Sequence, residues 1–168
     1  MFENGLKITG APSLAELKAA ASYPDEAAIQ KGAIAIVECI ECIPCNPCES
    51  ACPVGAIRIG KPITRLPLVD YALCIGCGRC VSSCPGLAIL VKNAAESDAL
   101  ASVTFPYEYL PLPAVGSDVC MVDRHGAPVC GGTVKRVSTG ANNQRTAVIT
   151  AMFEKRFYHE VVSIQRLR

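Results

Sequence analysis

The sequence predicts an α+β fold: a duplicated βαβ-like unit with a pseudo-two-fold relation over residues 33–93, and a small β-rich domain over residues 103–168. Three observations predict it. The stretch AIAIVECIECIPCNPCESACPVGAIRI, starting at Ala33, is echoed by RLPLVDYALCIGCGRCVSSCPGLAIL, starting at Arg65. Nine of the 11 cysteines fall between Cys39 and Cys84. From Val103 onward the chain turns to short apolar runs cut by proline and glycine.

Bulk properties set the frame. At 168 residues and 51% apolar content the chain is long enough for one full domain or two small ones with a core. Its 16 Lys and Arg against 15 Asp and Glu leave a net charge of +1, which gives no electrostatic reason to expect nucleic acid or an anionic membrane as partner. Met1–Gly10 lacks a cationic stretch followed by an apolar run, so export by a secretory signal is not expected. The greasiest runs, Ala33–Val37 and Leu87–Val91, fall far short of the roughly 20 residues of a membrane span. Eleven cysteines without an export signal point to reduced thiols used as metal ligands, and the expected compartment is the cytoplasm.

Residues 1–32 read as an extension. Pro12-Ser13 precedes a short helix at Leu14–Ala21, with Leu14, Leu17 and Lys18 at helical spacing and Tyr23-Pro24 as its stop. Its expected role is to cover one face of the next module. In residues 33–93 each half begins with an apolar strand (Ile34–Val37; Leu66–Val69), passes a cysteine-rich loop and a helical turn, and reaches Cys-Pro and a second strand (Ala56–Ile59; Leu87–Val91). The small, polar residues 94–102 read as a linker. Beyond it, strands are expected near Val103–Leu110, Asp118–Val122, Val129–Val137 and Arg145–Phe153, with a turn over Asp123–Pro128. Glu154–Leu167 fits a strand or, through Phe157, Val161 and Ile164, a helix.

The chemistry lies in the cysteines. Cys42, Cys45, Cys48 and Cys52 follow C-x2-C-x2-C-x3-C ahead of Pro53, and Cys74, Cys77, Cys80 and Cys84 repeat that spacing ahead of Pro85. A cubane cluster needs four thiolates at tetrahedral corners. A tight loop with two residues between ligands wraps three corners and does not reach the fourth. At these residues, over roughly Ala33–Lys92, the chain resembles bacterial-type two-cluster ferredoxins. The resemblance implies a ferredoxin-like α+β fold and two [4Fe–4S] clusters with one-electron steps at each. In that family the fourth cysteine of each run ligates the other cluster. Carried over, one cluster belongs to Cys42, Cys45, Cys48 and Cys84, and the other to Cys74, Cys77, Cys80 and Cys52.

Other readings remain beside it. Cys₄ zinc sites usually draw two C-x-x-C pairs separated by a longer span, not three ligands in one short loop. Cys39 extends the first run to four cysteines at intervals of three, so a shifted ligand frame is conceivable; its plainer role is a small buried residue at a strand end, where the second copy has Tyr71. Cys120 and Cys130 flank a turn, as core residues or facing one another. His125 and His159 have no catalytic partner at a recognisable spacing and read as surface residues. Gly76 and Gly78 let amides turn toward cluster sulfurs, whereas Pro44 and Pro47 remove donors in the first loop, which favours a lower potential there.

No nucleotide fingerprint or catalytic dyad is present, so the chain reads as an electron relay without a catalytic site of its own. Free ferredoxins tend to be small and acidic. Here Ala35–Lys92 carries five basic residues (Arg58, Lys61, Arg65, Arg79, Lys92) against four acidic ones (Glu38, Glu41, Glu49, Asp70), with added segments on both sides. A dedicated subunit of a multi-subunit oxidoreductase is therefore expected, with a freely diffusing ferredoxin as the alternative and a cluster-propped binding domain as a third. The general plan and Val115–Val134 also resemble ferredoxin-type subunits that accompany FAD-dependent dehydrogenases of the proline or hydroxyproline type. That resemblance implies a flavoprotein partner in a hetero-oligomer. Lys155, Arg156, Arg166 and Arg168 beside Phe153, Phe157 and Tyr158 mark residues 103–168 as the expected docking element.

Overall fold

A computed structural model describes residues 5–143 and 145–167. Arg168, one of the expected docking cations, lies outside them. The N-terminal extension forms three short helices, α1 (Leu6–Thr9), α2 (Leu14–Ala19) and α3 (Glu26–Ile29). Ser13 caps α2 in a capping box: its hydroxyl accepts the Glu16 N–H at 3.2 Å, and Glu16 accepts the Ser13 N–H at 2.8 Å. The extension is tied down by Tyr71, whose hydroxyl donates to the Ser22 carbonyl at 2.6 Å.

The rest is one large antiparallel sheet with a cysteine-rich layer against one end. In chain order the elements are β1 (Ala33–Val37), α4 (Pro47–Ala51), β2 (Ile57–Arg58), β3 (Leu68–Val69), α5 (Arg79–Ser83), β4 (Ile89–Asn93), β5 (Leu100–Tyr107), β6 (Asp118–Val122), β7 (Pro128–Ser138), β8 (Ala147–Glu154) and β9 (Ser163–Ile164). Seven strands run in the order β1-β4-β5-β8-β7-β6-β9, and β2 and β3 pair separately. Each half's first strand thus pairs antiparallel with the other half's second: β1 with β4, β3 with β2.

Alternation along β1 and the start of β4, Ile89–Val91, explains their apolar sequences. Ile34, Ile36 and Leu90 enter the main core with Val103, Phe105, Ile149 and Phe153. Ala35, Val37, Ile89 and Val91 face the other way, onto Cys48, Cys80 and Val81. Both faces are covered, so neither needs a polar residue.

Three expectations change. The stretch 94–102 ends early as a connection: Leu100–Ser102 already belong to β5, and β5 joins β4 on one side and β8 on the other. The sheet therefore passes across the expected linker without a break. Phe153 and Tyr158 are core residues, 2% and 4% exposed, and present nothing to a partner. The end of the chain is neither one helix nor one strand: a 3-10 turn at Lys155–Phe157 leads to β9, with Val161 and Ile164 buried because their segment closes the edge of β6.

A buried lysine is the least expected member of this core. Lys92 on β4 is fully buried; its Nζ donates to the Tyr158 carbonyl at 2.6 Å and lies 5.2 Å from the centre of that ring. Burial lowers its pKa to about 7, opposed by the Glu38 charge and aided by Arg124. The unfolded chain keeps this proton up to about pH 10.5, so across pH 7–10 it binds a proton that the folded chain has released. Stability should rise with pH in that window and carry the whole penalty below it. Tyr23, pushed up to about 12 mainly by burial, acts in the opposite sense only above pH 10. Denaturation at pH 7, 8 and 9 should show a wild-type slope of at most about 1.4 kcal/mol per pH unit that Lys92→Met lacks. Parallel pH profiles for the two proteins would refute this.

Candidate metal centres

The cysteine layer is assembled from two loops, and α4 and α5 pack against each other to bring them together. Each helix starts inside its motif and ends at the last cysteine of that run: Cys52 is the C-cap of α4 and Cys84 that of α5. Cys48 and Cys80, on the helices, are buried; Cys42 and Cys77, in the loops, are exposed.

One small, partly open cavity is walled by Cys52, Cys74, Cys77 and Cys80 together with Ala35, Val54, Ile57, Ile75, Gly76, Gly78 and Val91. Its walls offer thiols and apolar side chains and no other donor. Burial pushes the Cys80 thiol up to about 12, with Cys74, Cys77 and Cys52 adding to the rise. Cys52 is the exception: burial raises it, but amides of Ile57, Val54, Ala56 and Gly55 outweigh that and hold it below its ordinary value. The Ala56 N–H is 3.2 Å from its sulfur.

The edge of the sheet is built into this cavity. Among the described residues β1 has no strand on its outer side, and the Ala35 N–H that points outward donates to Cys74 Sγ at 3.4 Å. Gly76 fits beside it because it has no side chain: a Cβ there would sit 2.5 Å from the Ala33 carbonyl oxygen, and its φ of +61° is one that favours glycine. Gly78, at φ +78°, leads directly into α5.

A second, partly open cavity is walled by Cys39, Cys45, Cys48 and Cys84, with Val37, Ile43, Pro47, Ile59, Pro67 and Ile89 among the apolar residues and Glu41 and Arg65 also lining it. Burial pushes Cys48 up to about 11, and Cys84 and Cys45 add to it. Burial also raises Cys39, again with Cys84 and Cys45 as neighbours. The Ala88 N–H donates to Cys84 Sγ at 3.4 Å. Cys42 faces a different, open cleft against the N-terminal extension, lined by Leu6, Glu16 and Ile40.

Seven of the eight motif cysteines line these two cavities, Cys52 with Cys74, Cys77 and Cys80, and Cys45 and Cys48 with Cys84; Cys42 lines neither, and Cys39 stands on the second wall. Cys39 is half-buried rather than a closed core residue. Cys120 and Cys130 lie on neighbouring strands one residue out of register, Cys120 opposite Gly131 and Cys130 opposite Met121. His125 is exposed, as expected, but His159 is half-buried and its Nδ1 lies 3.1 Å from the Tyr23 hydroxyl.

Sequence reading missed the polar support beside the first loop. Glu38, the residue before Cys39, accepts from Arg124 Nε at 2.9 Å and Nη2 at 2.6 Å; the same guanidinium donates through Nη1 to the His159 carbonyl at 2.9 Å. Both side chains of the pair are about one-tenth exposed. Nothing local could signal it, since 86 residues separate the partners.

The donor set fits iron–sulfur clusters. Thiolate sulfur is the ligand such clusters take, and each cavity offers four thiols in a largely apolar wall. A single tetrahedral zinc needs its sulfurs about 2.3 Å from one ion. Among the described residues no three Cys, His, Asp or Glu side chains are grouped closely enough to hold one metal ion.

Residues 41–88 match the family model of the 4Fe-4S dicluster domain. That span holds all eight motif cysteines and leaves out Cys39. The match supports an iron–sulfur protein of the ferredoxin type and electron transfer as its activity. No curated protein and no solved structure matches the chain. Among the described residues no helix is long and apolar enough to cross a membrane.

Proposed function

We propose that this iron–sulfur protein is an electron-transfer subunit carrying two [4Fe–4S] clusters, one held by Cys74, Cys77, Cys80 and Cys52, the other by Cys45, Cys48, Cys84 and Cys42. The observation that carries this reading is the pair of thiol-walled cavities to which the matched residues contribute seven of the eight motif cysteines. Each cluster, when bound, takes up and releases one electron at a time. The chain's own residues hold it, exclude water with Val37, Ile57, Ile89 and Val91, and aim amides of Ala35, Ala56 and Ala88 at ligand sulfurs. Such N–H donors stabilise added negative charge and so raise a reduction potential. The two halves form a pseudo-two-fold repeat, which the crossed pairing of β1 with β4 and β2 with β3 supports.

Electrons pass, on this reading, between a flavin-bearing catalytic subunit, of the amino-acid dehydrogenase kind, and an acceptor, in the cytoplasm. Residues 103–168 supply the docking element. What supports this is an exposed apolar and aromatic stretch there, Tyr109, Leu110 and Val115, at 50%, 78% and 64% exposure, with the Arg166 guanidinium over the Tyr109 ring at 5.2 Å. Aromatic and Arg side chains are enriched at interfaces.

Anaerobically purified protein should carry about eight iron and about eight sulfide per chain, four for each cubane. Four iron, or zinc in their place, would sink the two-cluster reading. The full chain recovered from its native host should bring a flavin-containing protein with it, and Leu110→Asp should lose that protein while keeping its iron. Recovery of the chain alone, fully loaded and able to reduce several oxidoreductases, would favour a freely diffusing ferredoxin.

A further inference from the structure

We propose that Cys39 is a competent fourth ligand at the first cluster site, taking the corner left open whenever Cys42 is absent, so that this site has five usable cysteines. The inference rests on the two-cluster reading above and extends it to a residue outside both motifs and outside the matched span 41–88.

Four observations carry it. Cys39 lines the same cavity as Cys45, Cys48 and Cys84, as well as an open cleft beside Leu6 and Ile40, whereas Cys42 lines an open cleft beside Leu6 and Ile40 and not that cavity. Cys39, Cys42, Cys45 and Cys48 recur at equal intervals of three, so a loop that presents Cys42 needs only a local turn to present Cys39. The backbone of the two loops differs where the first motif cysteine is placed. In the second loop the Cys74 N–H donates to the Asp70 carbonyl at 3.1 Å, closing a turn that delivers Cys74. Glu38 stands four residues before Cys42 as Asp70 does before Cys74, yet among the described residues no such bond joins Cys42 to Glu38. Instead tight turns follow one another, Ile43 N–H to Glu41 O at 3.0 Å and Cys45 N–H to Ile43 O at 2.9 Å. Finally, Arg124 grips Glu38 through two hydrogen bonds and so fixes the residue adjoining Cys39, while Cys42 has no comparable anchor among the described hydrogen bonds.

The exchange needs no electron. The iron–sulfur bond to one cysteine breaks as the bond to the other forms. The proton given up to solvent by the incoming thiol is matched by the proton the released thiolate takes from it.

The test is a set of alanine variants, since alanine, unlike serine, brings no oxygen ligand. Wild-type protein is loaded first, and about eight iron per chain secures the underlying reading; fewer clusters, or zinc, overturn that reading and this inference together. Cys42→Ala and Cys39→Ala should then each keep the full iron count and the reduced-state paramagnetic signals of two clusters. The double variant should lose iron at the first site and show a three-iron signal when oxidised, or lose that cluster, with the second cluster's signal intact as proof of folding. Alkylation gives an independent readout: iodoacetamide should label Cys39 in the loaded wild type and fail to label it in loaded Cys42→Ala. Cluster loss in Cys42→Ala as complete as in the double variant overturns the proposal, as does labelling of Cys39 in that variant. So does cluster loss in Cys39→Ala alone, which would make Cys39 the sole fourth ligand.

Discussion

Replacing Cys52 with alanine should remove the cluster of the other loop. Cys52 follows Cys42, Cys45 and Cys48 in the chain, but its side chain stands on the cavity wall with Cys74, Cys77 and Cys80. Its sulfur accepts the Ala56 N–H at 3.2 Å, and converging amides hold its thiol below the ordinary value, which favours the thiolate that iron binds. Loss of this corner should lower iron from about eight per chain to between about seven, for a three-iron remnant, and about four, for complete loss. The discriminating measurement is a comparison of residual paramagnetic spectra. Cys52→Ala should resemble Cys77→Ala, and Cys45→Ala should leave the complementary signal. A Cys52→Ala spectrum that matches Cys45→Ala would place Cys52 with its own loop and end the crossed assignment.

Arg124→Ala should cost about 3–5 kcal/mol of folding stability, the range for removing one partner of a buried ion pair. The variant leaves the Glu38 carboxylate, about one-tenth exposed, without either of its two charge-assisted hydrogen bonds, and it strips a donor from the His159 carbonyl. Lys92 does not take its place, since its Nζ donates to the Tyr158 carbonyl. Because Glu38 follows β1 and precedes Cys39, the damage should reach the first cysteine loop, so iron loss on standing should be faster at that site than at the second. Anaerobic denaturation followed by circular dichroism reads the first effect and site-resolved paramagnetic resonance the second. A loss under about 1 kcal/mol would put this pair with solvent-screened surface bridges.

The iron chemistry was legible in the sequence because its determinants are local. Three ligands of each loop lie within seven residues, the Cys-Pro dipeptides end the helical turns, and β1 and the first residues of β4, Ile89–Val91, announce burial on both faces by an apolar run. Strands β6, β7 and β8 were legible for a similar reason, since turn residues bracket them. Ser13 likewise marks the start of α2 through a cap that needs only Glu16, three residues on.

What only the tertiary structure decided involves partners far apart in the chain. Residues 94–102 look like a linker because they are small and polar, yet Leu100–Ser102 are strand: β4 on one side and β8, some 50 residues later, on the other supply a ladder that local propensity does not. Phe153 and Tyr158 read as interface aromatics from their basic neighbours, but β8 turns Phe153 inward and the closing segment folds Tyr158 over Lys92. A lysine inside an apolar strand carries no sequence mark of burial; the Tyr158 carbonyl and ring, 66 residues on, help make it tolerable there. The same holds for Cys39. Its spacing admits two roles, and its position on the cavity wall follows from Glu38, whose placement is set by an arginine in the β6–β7 turn.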